Sequence, residues 1–73
     1  MREAGTIRER IFKALTHRYK ADGEAALVKI DALMRGEVLP GHEDIVGSID
    51  KQIAKVAFAE EKMATLRRHY GTN

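Results

Sequence analysis

GEVLPGHED, residues 36–44, is the stretch where a helix-rich chain of 73 residues changes direction. It holds the only proline together with two glycines, and neither residue type continues a helix readily. Arg35 suits the last turn of a helix before it. Glu43 and Asp44 suit the first turn of a helix after it, where carboxylates meet free N–H groups and the positive end of the helix dipole. The stretch therefore predicts a turn over 36–42 between two helices.

Apolar residues recur at helical spacing on both sides of this turn. Residues 43–70 contain no proline, and their large apolar side chains repeat at intervals of seven, the spacing of a coiled-coil seam. Residues 6–35 repeat apolar residues at intervals of three, four and seven. We therefore predict an all-α antiparallel hairpin in one domain, 1–73, with helices over about 6–35 and 43–70. The predicted oligomer seam consists of Ile11, Leu15, Ile30, Leu33, Ile49, Val56, Met63 and Tyr70.

Gly23 leaves two alternatives open for the first helix. Glycine costs about 1 kcal/mol relative to alanine inside a helix, so the helix could break at Asp22-Gly23 and give three helices in total. Continuation is favoured because the apolar face resumes in phase after Gly23. The segment 24–34, EAALVKIDALM, also consists largely of strong helix formers.

A short turn makes the two helices antiparallel neighbours, with apolar residues facing each other along their whole length. The same register places Arg18 opposite Glu60, and it predicts a partly buried ion pair between them. Contact with a single partner helix covers only part of the broad apolar face of the first helix. It leaves Phe12, Leu27 and Met34 in water. We therefore expect a second copy to cover this face, giving a homodimeric four-helix bundle.

Composition and charge narrow the functional classes. The chain has no cysteine, which excludes disulfides and thiolate metal sites. Its charged N-terminus and short apolar runs predict no signal peptide and no membrane span, and a cytoplasmic protein. The net charge is only +2, but residues 1–20 carry six basic and two acidic groups, whereas residues 21–44 carry two and six. A hairpin would thus have a basic end at its termini and an acidic end at its turn.

His42, Glu43 and Asp44 form the best metal or acid–base candidate, since imidazole and carboxylate groups bind metal ions. Adjacent residues on a helix diverge by about 100°, so all three cannot point at one ion. His17 and His69 lie away from the apolar stripes and have no companion nucleophile. We therefore predict a non-enzymatic protein with no catalytic residue, cofactor or metal.

Basic side chains follow the outer face of each predicted helix. Such stripes can follow phosphates, and an aromatic ring among them could stack on a base. Our first hypothesis is an interaction and assembly module that uses the second stripe for an unknown protein partner. The alternative is a nucleic-acid-binding hairpin, although a net charge of +2 is low for that class. The stripes consist of Arg10, Lys13, His17 and Lys20 in the first helix, and of Lys51, Lys55, Phe58, Lys62 and His69 in the second.

Two segments carry a family resemblance: YKADGEAALVKIDALM, residues 19–34, and PGHEDIVGSIDKQIAKVAFAEEKMATLRRHYG, residues 40–71. A basic-aromatic start, an alanine-rich stretch, a turn with Gly and His, and a helix of the form IDKQI-x-K-x-A-x-AEEK-x-x-x-L resemble small uncharacterised proteins of T-even-like phages of marine bacteria. The likeness covers about residues 18–71. PGHED departs from the longer glycine-containing turn of that group. The resemblance implies a phage-encoded accessory or virion-associated protein in the host cytoplasm, and it assigns no functional residue.

Overall fold

The protein is a hairpin of two long helices, according to a computed structural model that describes residues 5–37 and 44–71. Helix α1 spans Ile7–Met34 and helix α2 spans Ile45–Tyr70. The described part of the chain contains no strand, and the two helices pack against each other. The all-α hairpin predicted from the sequence is confirmed, with helix ends within two residues of those expected. The predicted turn lies mostly in 38–43, outside the described residues.

Side chains at the start of each helix supply the hydrogen bonds that the first turn lacks. The Thr6 hydroxyl accepts a hydrogen bond from the N–H of Glu9, and the Glu9 carboxylate accepts one from the N–H of Thr6, which together form a capping box. At the start of α2 the Asp44 carboxylate accepts from the N–H of Gly47 at 2.9 Å. The sequence therefore sets both helix starts locally.

The end of α1 is a Schellman motif, in which a left-handed glycine closes the last turn. Gly36 has φ +80°, its N–H donates to the carbonyl of Leu33, and the N–H of Glu37 donates to the carbonyl of Ala32, both at 3.0 Å. Helix α2 ends at Gly71 after a basic last turn, which complements the negative end of the helix dipole.

Helix α1 runs without a break through Gly23, so the favoured alternative is confirmed. Gly23 lies at a contact between the two helices, since a methyl group at this position would stand 3.6 Å from the Cβ of Ala59. Ala26, one turn further along α1, is buried. The small residues let the two backbones come together, and this contact holds the middle of the hairpin.

The core of the hairpin is thin because only one face of each helix is covered. The molecule measures 52 × 25 × 17 Å, and no described side chain is completely removed from solvent. Half-buried Leu15, Ile49, Val56 and Met63 extend the contact between the helices. The buried residues in the described chain are Ala26, Ile30, Leu33, Gln52 and Ala59.

The predicted ion pair between Arg18 and Glu60 is wrong. Both residues are exposed, and the only ion pair among the described residues joins Arg35 and Glu37 at 3.1 Å. At about 100° per residue, Arg18 points to the same side of the hairpin as Asp22, whereas Glu60 points to the same side as Ile53. The two charges therefore lie on opposite sides of the hairpin, although they are at a similar level along it.

Candidate interaction surfaces

The cluster at the start of α2 does not form a chemical site in the described residues. Asp44 serves as the helix cap, so its carboxylate is already engaged by the backbone. His42 and Glu43 lie outside the described residues. Across 5–37 and 44–71, no group of three or more His, Cys, Asp or Glu side chains could hold a metal ion. His17 and His69 are exposed.

The helices leave a lysine-rimmed groove between them, which we call the groove side of the hairpin. This groove has a volume of about 310 Å³ and a floor of small residues, with Ala25 and Ala26 from α1 and Ala59 from α2. Buried Gln52 also borders it, and the side-chain oxygen of Gln52 has no hydrogen-bond partner within residues 5–37 and 44–71. The rim carries more positive than negative charge, since its charged residues are Asp22, Lys29, Lys55 and Lys62. Phe58 is the one aromatic residue in the lining.

Lys62 connects the rim to two aromatic rings. Its ammonium nitrogen lies 4.7 Å from the ring centre of Phe58 and 5.0 Å from that of Tyr19, both within the range of a cation–π interaction. These contacts fix the lysine across the helix interface and leave it half-buried. One face of the exposed Phe58 ring is therefore already occupied by a charge from its own chain.

A second, more apolar cavity of about 300 Å³ lies towards the termini on the same side. Three of the predicted seam residues, Ile11, Leu15 and Tyr70, line it, and Ile11 and Tyr70 are each more than half exposed. The guanidinium of Arg8 lies 5.7 Å from the ring centre of Tyr70. Ile11 and Tyr70 are therefore exposed at this end of the hairpin, whereas the other six predicted seam residues are buried or half-buried. The remaining lining residues are Phe12 and Leu66.

Four exposed apolar residues lie on the opposite side of the hairpin, which we call the apolar side. Leu27 and Met34 are seven residues apart on α1, and Val46 and Ile53 are seven apart on α2, so each pair forms a row along its helix. Around the axis of its helix, each row lies roughly 140–160° away from the residues of the same helix that line the groove. The exposed fractions are 41% for Leu27, 66% for Met34, 79% for Val46 and 49% for Ile53.

The predicted stripes take different positions in the fold. Arg10, Lys13 and His17 surround a shallow depression formed by α1 alone. Lys55 and Lys62 border the groove on α2, where they meet Lys29, which sequence reasoning did not select. The stripes therefore do not form one continuous basic surface. Lys29 follows Asp22 by seven residues, and residues seven apart lie on the same face of a helix. Lys29 therefore shares the groove side with Asp22.

Sequence reasoning also missed the contact between Gly23 and Ala59, because glycine was considered only as a helix breaker. The available signal was the placement of Gly23 one turn before Ala26 on the apolar stripe of α1. Small residues at that spacing allow a partner helix to approach closely.

The chain matches no family model, no curated protein and no solved structure. Neither helix in the described part of the chain is both long and apolar enough to cross a membrane.

Proposed function

We propose that this protein is a non-enzymatic interaction module that assembles through its apolar side and offers its groove side to a protein partner. The phage resemblance supplies the setting, an accessory or virion-associated protein. The observation that carries the proposal is the row of four exposed apolar side chains on one side of a hairpin whose core is only one seam thick. Soluble monomers seldom leave such a row in water.

The groove side supports the second part of this proposal. Its small-residue floor can receive the side chains of a partner, and its three lysines favour a partner with acidic groups at the edge of the contact. Phe58 extends beyond the rim and is largely exposed, so it is available as an anchor.

The test of assembly is the absolute mass in solution, measured by light scattering behind a sizing column. We expect a mass of twice the chain's 8.2 kDa for the wild-type protein at micromolar concentration or above. Ile53→Lys places a charge in the apolar row and is expected to give a folded monomer, because this side chain is half in solvent within one hairpin.

Val28→Lys is the matched control, because Val28 is an exposed apolar residue on the outer face of α1. It should leave the mass of the dimer unchanged. A monomeric wild-type protein over the whole concentration range would refute assembly through the apolar side.

The second candidate function is nucleic-acid binding, and the observation in its favour is the three lysines that meet at the groove. It predicts binding of a short single-stranded oligonucleotide that weakens steeply with salt. Binding should be lost when the three groove lysines and Lys51 of the same stripe are reversed together, as Lys29→Glu, Lys51→Glu, Lys55→Glu and Lys62→Glu. The control is the variant in which Arg10 and Lys13 on α1 are changed to glutamate, which tests whether the net charge alone accounts for binding. Absence of binding at low salt would exclude this function.

A further inference from the structure

The apolar side carries more than one kind of residue, and their order along the helices restricts how a second copy can dock. The row on α1 that contains Leu27 and Met34 continues towards the termini with Lys20 and Lys13 at the same spacing of seven. The row on α2 that contains Val46 and Ile53 continues with Glu60 and Arg67. Each row is therefore apolar near the turn and charged near the termini.

The helix contacts set the levels of these residues along the hairpin. Gly23 lies next to Ala59, and Tyr19 next to Lys62, so these pairs stand at the same height along the hairpin. Because the helices are antiparallel, each step forward in α1 corresponds to one step back in α2. Leu27 is thus within about half a turn of the level of Ile53. By the same rule Met34 is level with Val46, and Lys20 with Glu60.

We propose that a second copy of this chain packs on the apolar side with both turns at the same end, so that α1 of each copy lies over α2 of the other. The inference rests on the proposed self-association and adds its geometry. A two-fold axis parallel to the helices places each residue and its equivalent in the second copy at the same height along the helix direction. Leu27 then meets Ile53 of the second copy, Met34 meets Val46 of the second copy, and Lys20 meets the oppositely charged Glu60 of the second copy.

The alternative two-fold axis, perpendicular to the hairpin, puts the turns at opposite ends. It lays the charged half of each row over the apolar half of the same row in the other copy, so that Leu27 faces Lys20 and Ile53 faces Glu60. The exposed apolar side chains then fail to meet one another, and the charged groups lose water without gaining opposite charges. Apolar matching and the local pairing of Lys20 with Glu60 of the second copy both favour turns at the same end.

The favoured arrangement also has a cost. It brings the two basic ends together, with Lys13 beside Arg67 of the second copy. Screening of this repulsion is expected to strengthen the dimer as sodium chloride rises from low to moderate concentration. The rival arrangement joins basic ends to acidic ends, and the same salt would weaken it.

Distances between spin labels test the arrangement directly, because a chain without cysteine accepts a single labelled cysteine. In the full-length dimer, a nitroxide on Glu37→Cys near the turn should give a distance below about 30 Å between the two copies. Turns at opposite ends would separate the same labels by roughly 40 Å, at a rise of 1.5 Å per residue. Glu24→Cys, near the middle of the hairpin, is the control, since both arrangements hold its labels close together.

Charge reversal tests the register. Lys20→Glu or Glu60→Lys alone should weaken the dimer at low salt by roughly tenfold, and the double reversal should restore it. Reversal of Glu61, on the outer face of α2, should have little effect on dimerisation.

The possible results separate the two proposals. A monomer refutes both the proposed assembly and this geometry. A dimer with long Glu37→Cys distances, with no rescue by the double reversal, or with weakening by salt refutes the geometry alone.

Discussion

Two glycines show that the same residue type can have opposite effects in one hairpin. Gly36 stands at φ +80°, where a side chain is strained, and it closes the Schellman motif at the end of α1. Gly23 has ordinary helical geometry within α1, and the Cβ of Ala59 lies in front of it at normal contact distance. The local backbone therefore makes glycine necessary at the first position and only permitted at the second.

Alanine at each glycine is expected to shift stability in opposite directions. Gly36→Ala should lower the free energy of unfolding by about 1 kcal/mol, because the left-handed conformation disfavours a Cβ. Gly23→Ala should raise it by about 0.5–1 kcal/mol, because alanine lowers the entropy of the unfolded chain and makes an ordinary contact with Ala59. Urea unfolding followed by circular dichroism measures both changes.

Gly23→Leu provides the steric control, since a large side chain would push the helices apart and destabilise the protein. A Gly23→Ala variant that is less stable than wild type would contradict the ordinary contact distance between a methyl group at position 23 and Ala59.

The two helices could be predicted from the sequence because their signals are local. Heptad spacing and a proline with two glycines between the helices depend on residues close together in the chain. Asp44 was predicted in the first turn of α2, and the structure places it one position earlier, as the N-cap. The continuity of α1 through Gly23 followed from the phase of the apolar residues. The predicted ion pair between Arg18 and Glu60 was wrong because two residues at the same height along the hairpin can still point to opposite sides of it.

At the scale of the elements, the contact between α1 and α2 is expected to support both folding and assembly. Ile49→Asp places a carboxylate in the half-buried seam, which should cost roughly 2–4 kcal/mol and abolish folding and association together. Circular dichroism and light scattering on the same sample would report both losses.

Phe58→Ala is the comparison for this variant. It removes an exposed ring on the groove side, so it should leave helicity and mass unchanged. A soluble, folded Ile49→Asp protein would contradict the placement of Ile49 in the seam that holds the two helices together.

The whole molecule has two unlike sides, and only the tertiary structure separates them. The sequence placed Phe12, Leu27 and Met34 on one broad face of α1. Packing against α2 makes Phe12 half-buried and leaves the other two on the apolar side. Lys29, Lys55 and Lys62 come together only because the helices are antiparallel at this register.

A thin hairpin whose folded state associates with a second copy should become more stable as its concentration rises. Over about a hundredfold increase in concentration, we expect the midpoint of thermal unfolding to rise by roughly 5–10 °C, because association favours the folded state by mass action. Scanning calorimetry or circular dichroism at several concentrations would measure it. The Ile53→Lys variant should show a midpoint independent of concentration, and a wild-type midpoint that is equally constant would argue against coupled assembly.

The sequence by itself determined the two helices, their ends to within two residues, and the absence of cysteine chemistry, because each depends on residue type and short-range spacing. The tertiary structure alone decided which charges share a side, how closely Gly23 and Ala59 approach, and which apolar residues remain in water. Those properties depend on the rotation of each helix about its own axis, and that rotation is fixed only when the two helices pack together.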